Sequence, residues 1–147
     1  PTGGPSPGSR VVSKWSVDAE AVQSSVPEVV GLRVHYTFTL WDDGTFGFRY
    51  PNGRENFGTW DVATNGTVIA DLQTPAGATF HIEFEPSVND FSGELSITDQ
   101  LLNTTIYSLG GTRLSKTTVV RYEDYDNALQ SSKRSGVEAI LTALGEY

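Results

Sequence analysis

The two histidines, His35 and His81, are the side chains best suited to acid–base or metal chemistry. A general base or a metal site would need both imidazoles to converge with a carboxylate such as Glu83 or Asp61. Each histidine lies on the polar side of an alternating segment, so both are expected to face solvent. The carboxylates lack the spacing of a glycosidase or a calcium loop, and no serine-hydrolase, zinc-protease or phosphate-loop motif occurs. The sequence therefore predicts no catalytic residue, no metal site and no cofactor.

Aromatic side chains form the main candidate ligand-binding set. They share the apolar faces of predicted strands and are Tyr36, Phe38, Phe46, Phe48, Tyr50, Trp60, Phe80 and Phe84. Ligand pockets are lined mostly by apolar and aromatic groups, which this set matches. The same rings would also fill a closed core, and alternation cannot distinguish a filled interior from a hollow one. The inward face of the fourth strand is also open, because Phe57 and Trp60 lie on opposite sides of it.

The net negative charge of the chain limits the class of binding partner. The 147 residues include 10 Lys plus Arg against 18 Asp plus Glu, a formal net charge of -8, which argues against nucleic-acid binding. No Lys or Arg occurs between Arg54 and Arg113, so this stretch forms an acidic wall that either keeps the protein soluble or attracts a cationic partner. The acidic wall comprises Glu55, Asp61, Asp71, Glu83, Glu85, Asp90, Glu94 and Asp99.

The sequence says little about the cellular compartment of the protein. The chain has no cysteine, which excludes disulfides and thiolate chemistry. No apolar run approaches the roughly 18 residues of a membrane helix, so no transmembrane segment is expected. The chain begins at Pro1 and contains no methionine. Removal of a targeting segment would explain this start, as would a chain trimmed for another reason, and the first would be compatible with a secreted, periplasmic or organelle-lumenal location.

Alternation with a period of two places the candidate side chains on strands. Residues 32–62 contain three alternating segments separated by turn signals at Asp43-Gly44 and Asn52-Gly53. The pattern continues to residue 114, and counting from Arg10 gives eight strands, with a possible ninth at 117–122. Eight short strands joined by tight turns favour an all-β, antiparallel up-and-down barrel, because closure removes unpaired sheet edges.

Two helices are expected beside the barrel. Asp18 opens a run of good helix formers that ends before Pro27, which predicts a short N-terminal helix. Residues 135–138 fit a capping box, and the apolar residues that follow recur with helical spacing, which predicts an amphipathic helix over 136–144. The predicted organisation is a flexible Pro/Gly/Ser-rich tail at 1–9, a barrel at 10–116 and a C-terminal extension at 117–147.

Several short motifs on these strands resemble a known family. They are Lys14-Trp15 on the first strand, Asp43-Gly44-Thr45-Phe46 at a hairpin, Gly58-Thr59-Trp60 on the fourth strand and Gly111-Thr112-Arg113 on the last. Over about residues 10–114 the chain resembles the lipocalin-like barrels of the calycin group. The resemblance implies a cup for a small apolar molecule, although some relatives are enzymes and some only hold other proteins. It also implies that Trp15 packs under Arg113 at the closed end, with Ser13 standing where the family has glycine.

Three functions remain open on this reasoning. The leading expectation is a carrier of a small hydrophobic ligand, with a cavity lined by Phe46, Phe48 and Tyr50. The alternative is a non-catalytic accessory subunit with a filled barrel, docked onto a larger protein assembly through its tail, acidic wall or C-terminal helix. The second alternative is a barrel isomerase or cyclase, which would need polar or ionisable groups that converge inside the cavity.

Overall fold

Antiparallel pairing closes the chain into a barrel. In a computed structural model, which describes residues 3–114 and 126–127, each strand pairs with the next and the last pairs back with the first. The prediction of an all-β, eight-stranded antiparallel barrel is confirmed, whereas the predicted ninth strand and C-terminal helix lie outside the described residues. The strands are β1 (Val11–Ser24), β2 (Arg33–Trp41), β3 (Thr45–Arg49), β4 (Glu55–Val62), β5 (Val68–Gln73), β6 (Thr79–Pro86), β7 (Asp90–Thr98) and β8 (Thr104–Arg113).

The prediction of a short N-terminal helix is wrong. The helix predicted after Asp18 is absent from the described residues 18–24, where β1 continues as a strand to Ser24. Ala19 and Ala21 face the interior, and the backbone around them pairs with both β2 and β8. Ladder pairing on two sides outweighs the weak helix propensity of a short segment that would be marginal by itself. A short 3-10 helix, Pro27–Val29, follows in the connection to β2.

The two ends of the barrel carry different connections. The closed end holds the start of β1 and the turns β2–β3, β4–β5 and β6–β7. The opposite end, called the mouth, holds the β1–β2 connection and the turns β3–β4, β5–β6 and β7–β8. Inward side chains of β1 become smaller towards the mouth, in the order Trp15, Val17, Ala19, Ala21. This strand therefore fills the closed end more than it fills the mouth.

Residues 3–10 lie against the outside of the closed end. The backbone N–H of Ser6 donates to Asp43 Oδ2 at 2.7 Å, and that of Arg10 donates to Asp42 Oδ1 at 3.0 Å. A Cβ atom at Gly4 would lie 3.4 Å from the ring of Phe57, so the tail crosses an outward-facing aromatic side chain. Contacts within the chain therefore account for the position of this segment. No helix in the part of the chain described by the structure is long and apolar enough to cross a membrane.

Candidate functional site

The aromatic residues predicted to line a pocket all point into the barrel. Seven of the eight are buried in one apolar cluster, and Tyr50 is half-buried against that cluster. On β4 the inward side chain is Trp60, whose Nε1 donates to the carbonyl oxygen of Trp41 at 2.7 Å. Phe57 lies outside, with its ring centroid 6.0 Å from that of Trp41. The inward face of the fourth strand is therefore the one that carries Trp60.

Rings from opposite walls meet in the middle of the barrel. Phe38 on β2 lies 6.3 Å from Phe84 on β6 and 6.0 Å from Phe91 on β7, measured between ring centroids. Phe48 on β3 lies 5.1 Å from Phe80 on β6. These separations fall in the range of about 4.5–7 Å at which aromatic pairs attract. In the middle of the barrel, the residues predicted to line a pocket therefore pack on one another as a core.

Apolar surface reaches solvent at the mouth. The half-buried residues packed on the core all lie near the mouth ends of their strands and are Val34, Tyr50, Ala78, Ile97 and Tyr107. Beside Tyr50, between the β3–β4 and β5–β6 turns, lies a cleft of about 540 Å³. Small-molecule sites are typically about 300–1,000 Å³, so the cleft is of ligand size. The cleft is lined by Tyr50 and by residues of the two turns, whereas Tyr36 and Tyr107 do not border it. The mouth is the end of the barrel at which half-buried apolar side chains approach solvent.

Three tyrosines supply the hydrogen-bonding groups of the mouth. The hydroxyl of Tyr50 accepts a hydrogen bond from Asn56 Nδ2 at 2.8 Å. The hydroxyls of Tyr36 and Tyr107 make no hydrogen bond to any residue between 3 and 114. Burial raises the pKa of all three phenols, and Tyr107 and Tyr50 raise that of Tyr36 further. The phenols therefore stay protonated near neutral pH and can act as hydrogen-bond donors.

Exposed aliphatic side chains flank the mouth on one side. This aliphatic rim comes from the end of β1, the β1–β2 connection and the β7–β8 turn, and comprises Val22, Val26, Val30, Leu32, Leu101 and Leu102. The segments adjoin, because the N–H of Ser25 donates to the carbonyl oxygen of Thr104 at 3.0 Å. Leu102 has a φ of 64°, whereas every other positive φ between residues 3 and 114 belongs to glycine. An exposed leucine is thus kept at a position where glycine would be less strained.

Trp15 and Arg113 meet at the closed end. The Arg113 Cζ atom lies 5.8 Å from the centroid of the buried indole ring, and Nη1 donates to the carbonyl oxygen of Val88 at 2.8 Å. Trp15 Nε1 donates to Ser13 Oγ at 3.0 Å. The Ser13 hydroxyl therefore satisfies the buried indole N–H. Trp15 and Arg113 both lie at the end of the barrel opposite the mouth, which suits a structural role.

His81 lies between two carboxylates on the outside of the barrel. Its Nδ1 is 2.6 Å from Asp71 Oδ1 and its Nε2 is 2.8 Å from Glu83 Oε2. Hydrogen bonds to Asp71 and then to Glu83 raise the pKa of His81. When it is protonated, the ring also offsets repulsion between Glu83 and Glu94, which lie directly opposite each other on β6 and β7. Among the described residues, no group of three or more His, Cys, Asp or Glu side chains could hold a metal ion.

His35 lies on a different wall and has different partners. Its Nδ1 is 3.1 Å from Asp18 Oδ1, and its Nε2 is 3.2 Å from Ser16 Oγ. Asp18 stands directly opposite His35 in the β1–β2 ladder. Because His35 is on β2 and His81 on β6, the two imidazoles do not converge in a paired site.

The sequence did not mark Tyr107, Ser16 or Asp18 as functional residues. Tyr107 alternates in phase with the buried Leu109, so the period-two pattern of β8 was a signal that could have identified it. No comparable signal marks Ser16 and Asp18. Their contact with His35 depends on the register between β1 and β2, which the sequence pattern does not specify.

No protein-family model matches the chain, and no curated protein shows significant sequence similarity to it. The architecture is an all-β closed barrel of eight antiparallel strands, which is consistent with a lipocalin-like barrel.

Proposed function

We propose that the protein is a lipocalin-like carrier that binds a small, neutral, mostly apolar molecule at the mouth of the barrel. The observation that carries the proposal is the pair of phenol hydroxyls of Tyr36 and Tyr107. Neither has a hydrogen-bond partner among residues 3–114, and neither oxygen is among the buried side-chain atoms that lack a partner, so both hydroxyls reach solvent. Two solvent-accessible donors beside apolar surface favour a ligand that carries an acceptor oxygen.

The apolar surroundings determine the rest of the ligand's chemistry. Below the tyrosines the barrel is filled by ring contacts such as Phe48–Phe80, so the ligand rests on the core and does not enter it. Ala19 and Ala21 on β1 leave more space near the mouth than larger side chains would. The aliphatic rim supplies further apolar contact at the entrance.

Charge favours a neutral ligand. Arg49 beside the mouth is paired with Glu55, with 3.6 Å between Nη2 and Oε1. The chain as a whole is strongly acidic, so an anionic ligand would be repelled at long range. The raised pKa values make the tyrosines donors rather than general bases, which gives less support to an isomerase or cyclase.

Titration with the neutral fluorescent ketone prodan tests this site, because the probe combines a flat apolar body with one carbonyl acceptor. We expect saturable binding to the parent protein. Tyr36→Phe and Tyr107→Phe each remove one hydroxyl and keep the ring. Loss of one hydrogen bond is worth about 0.5–1.5 kcal/mol, so each variant should bind about two- to tenfold more weakly.

A matched control is Phe57→Leu, which alters an aromatic residue on the outside of the barrel. Its prodan affinity should equal that of the parent protein. Absence of saturable binding, or equal affinity in the parent and both tyrosine variants, would contradict a mouth site. Native mass spectrometry of the purified protein adds an independent measurement, because a bound natural ligand would appear as a mass lost on denaturation.

An accessory subunit is the second candidate function. The exposed aliphatic rim, with Leu101 82% and Leu102 80% exposed, is the observation that favours it. A subunit of this kind would cover the rim with another protein and would need no small ligand. It is favoured if prodan fails to bind and a complex that co-purifies with the parent protein is lost in a Leu101→Ser, Leu102→Ser variant.

A further inference from the structure

The outer wall formed by β1 and β2 carries three side chains in the order used for nucleophilic catalysis. Ser16 Oγ lies 3.2 Å from His35 Nε2, and His35 Nδ1 lies 3.1 Å from Asp18 Oδ1. One imidazole nitrogen thus faces a hydroxyl and the other faces a carboxylate. This is the connectivity of a nucleophile, a general base and an orienting acid, which is recognised by geometry and not by sequence position.

A groove runs beside these residues. Gly110 on β8 lies directly opposite Asp18, and a Cβ atom there would have no other atom within 4 Å. The missing side chain opens a cleft of about 690 Å³ on the barrel wall, bordered by Asp18, His35, Arg33 and Ser108. Arg33 is paired with Glu20 across the cleft, at 3.1 Å between Nε and Oε1. His35 and Asp18 therefore border a space of small-molecule size, and Ser16 lies next to it through its contact with His35.

We propose that this groove hydrolyses small carboxylic esters, with Ser16 as nucleophile and His35 as general base. His35 Nε2 takes the Ser16 proton while Oγ bonds to the ester carbonyl carbon. The bond between that carbon and the alcohol oxygen then breaks, and the alcohol leaves with the proton from the imidazolium. Water, deprotonated by the same imidazole, then attacks the acyl carbon, the bond between that carbon and Ser16 Oγ breaks, the acid leaves, and the imidazolium returns its proton to Oγ. Asp18 is a positioning residue, because it holds Nδ1 protonated and Nε2 free to accept.

The surroundings predict modest catalysis. Backbone N–H groups in the middle of a strand paired on both sides are used by the sheet ladder, so they cannot form an oxyanion hole. Thr37 and Thr112 lie directly across from Ser16 on β2 and β8, so their hydroxyls are candidate donors to the oxyanion. The Asp18 side chain is also 91% exposed, so water competes for its hydrogen bond with His35. We expect the general base to contribute about a hundredfold, the low end of its usual range.

Hydrolysis of p-nitrophenyl acetate by the full chain tests the proposal. Ser16→Ala and His35→Gln should each lower the protein-dependent rate by about a hundredfold. Peptide mapping after brief reaction should find an acetyl group on Ser16. Asp18→Asn should lower kcat with little change in KM, and Asp18→Glu, which keeps the carboxylate, should recover part of the loss. A purely structural role would not distinguish these two Asp18 variants.

The matched control is His81→Gln, because His81 is the other outer-wall histidine and both of its nitrogens face carboxylates. It should leave the rate unchanged. Equal losses in His81→Gln and His35→Gln, full activity in Ser16→Ala, or acetyl found only on other residues would overturn the proposal. Prodan binding by Ser16→Ala should equal that of the parent protein, so failure here is distinguishable from failure of the mouth site.

Discussion

Replacement of Phe38 by alanine tests whether the middle of the barrel is filled. The ring is fully buried, and its centroid lies 5.1 Å from that of Phe46, 5.2 Å from Phe48, 6.3 Å from Phe84 and 6.0 Å from Phe91. Truncation of a buried phenylalanine costs about 3–5 kcal/mol, and Phe38 also loses aromatic pairs worth about 0.5–1.5 kcal/mol each beyond the area they bury. We therefore expect the free energy of unfolding to fall by about 4–5 kcal/mol, the upper part of that range.

Urea denaturation followed by tryptophan fluorescence measures this loss, because Trp15 is fully buried in the same core. Benzene supplies a second measurement. A cavity lined by phenylalanine rings binds apolar molecules, and binding to the folded state alone raises stability by mass action. Benzene should therefore stabilise Phe38→Ala and have little effect on the parent protein. Phe57→Ala is the control on the outside of the barrel, where the loss should stay below about 1.5 kcal/mol.

A hollow barrel would behave differently. Phe38 would then line a space that already exists, and its removal would cost about 2 kcal/mol, close to the transfer term alone. Benzene would stabilise the parent protein as strongly as the variant. That pair of results would refute the reasoning that ring contacts across the barrel fill its middle, and would restore the deep cup implied by the lipocalin resemblance.

Three further predictions concern single positions. Gly111→Ala places a Cβ atom 2.6 Å from ring atoms of Phe91, so the free energy of unfolding in urea should fall by about 1–3 kcal/mol; an unchanged midpoint would contradict this close approach. Leu102→Gly relieves a φ of 64° and should raise the thermal midpoint, with a gain of about 1 kcal/mol; a lower midpoint would show that Leu102 makes stabilising contacts. His81→Gln removes a partly exposed imidazolium held by two carboxylates, so the parent should be more stable by about 1 kcal/mol at about pH 5–6. Because the pKa of His81 is raised in the folded state, this advantage is complete below its ordinary value near 6.5 and is lost as the pH rises through the folded-state value; urea midpoints that differ equally at all pH values would contradict it.

Most of the barrel could be predicted from the alternation of side chains. The period of two assigned Phe38, Phe46 and Phe48 to one face of their strands, and the structure buries all three. The helix predicted from local propensity was wrong for residues 18–24, where good helix formers continue β1. Local propensity is worth only tenths of a kcal/mol per residue, so pairing with β2 and β8 outweighs it. The resemblance also indicated correctly that Arg113 lies over Trp15, although the residues are far apart in sequence.

The candidate sites required the tertiary structure. Alternation states which face a residue lies on, but it does not state which residues become neighbours on adjacent strands. That depends on the register of the hydrogen-bond ladder and on closure between β8 and β1. Register alone brings His35 opposite Asp18 and beside Ser16, and closure brings Gly110 next to Asp18. The sequence by itself determined that apolar side chains share the inside of an antiparallel barrel. The tertiary structure decided that the rings of Phe38 and Phe84 meet across it, because contact between opposite walls depends on barrel diameter and side-chain rotamers, which no periodicity encodes.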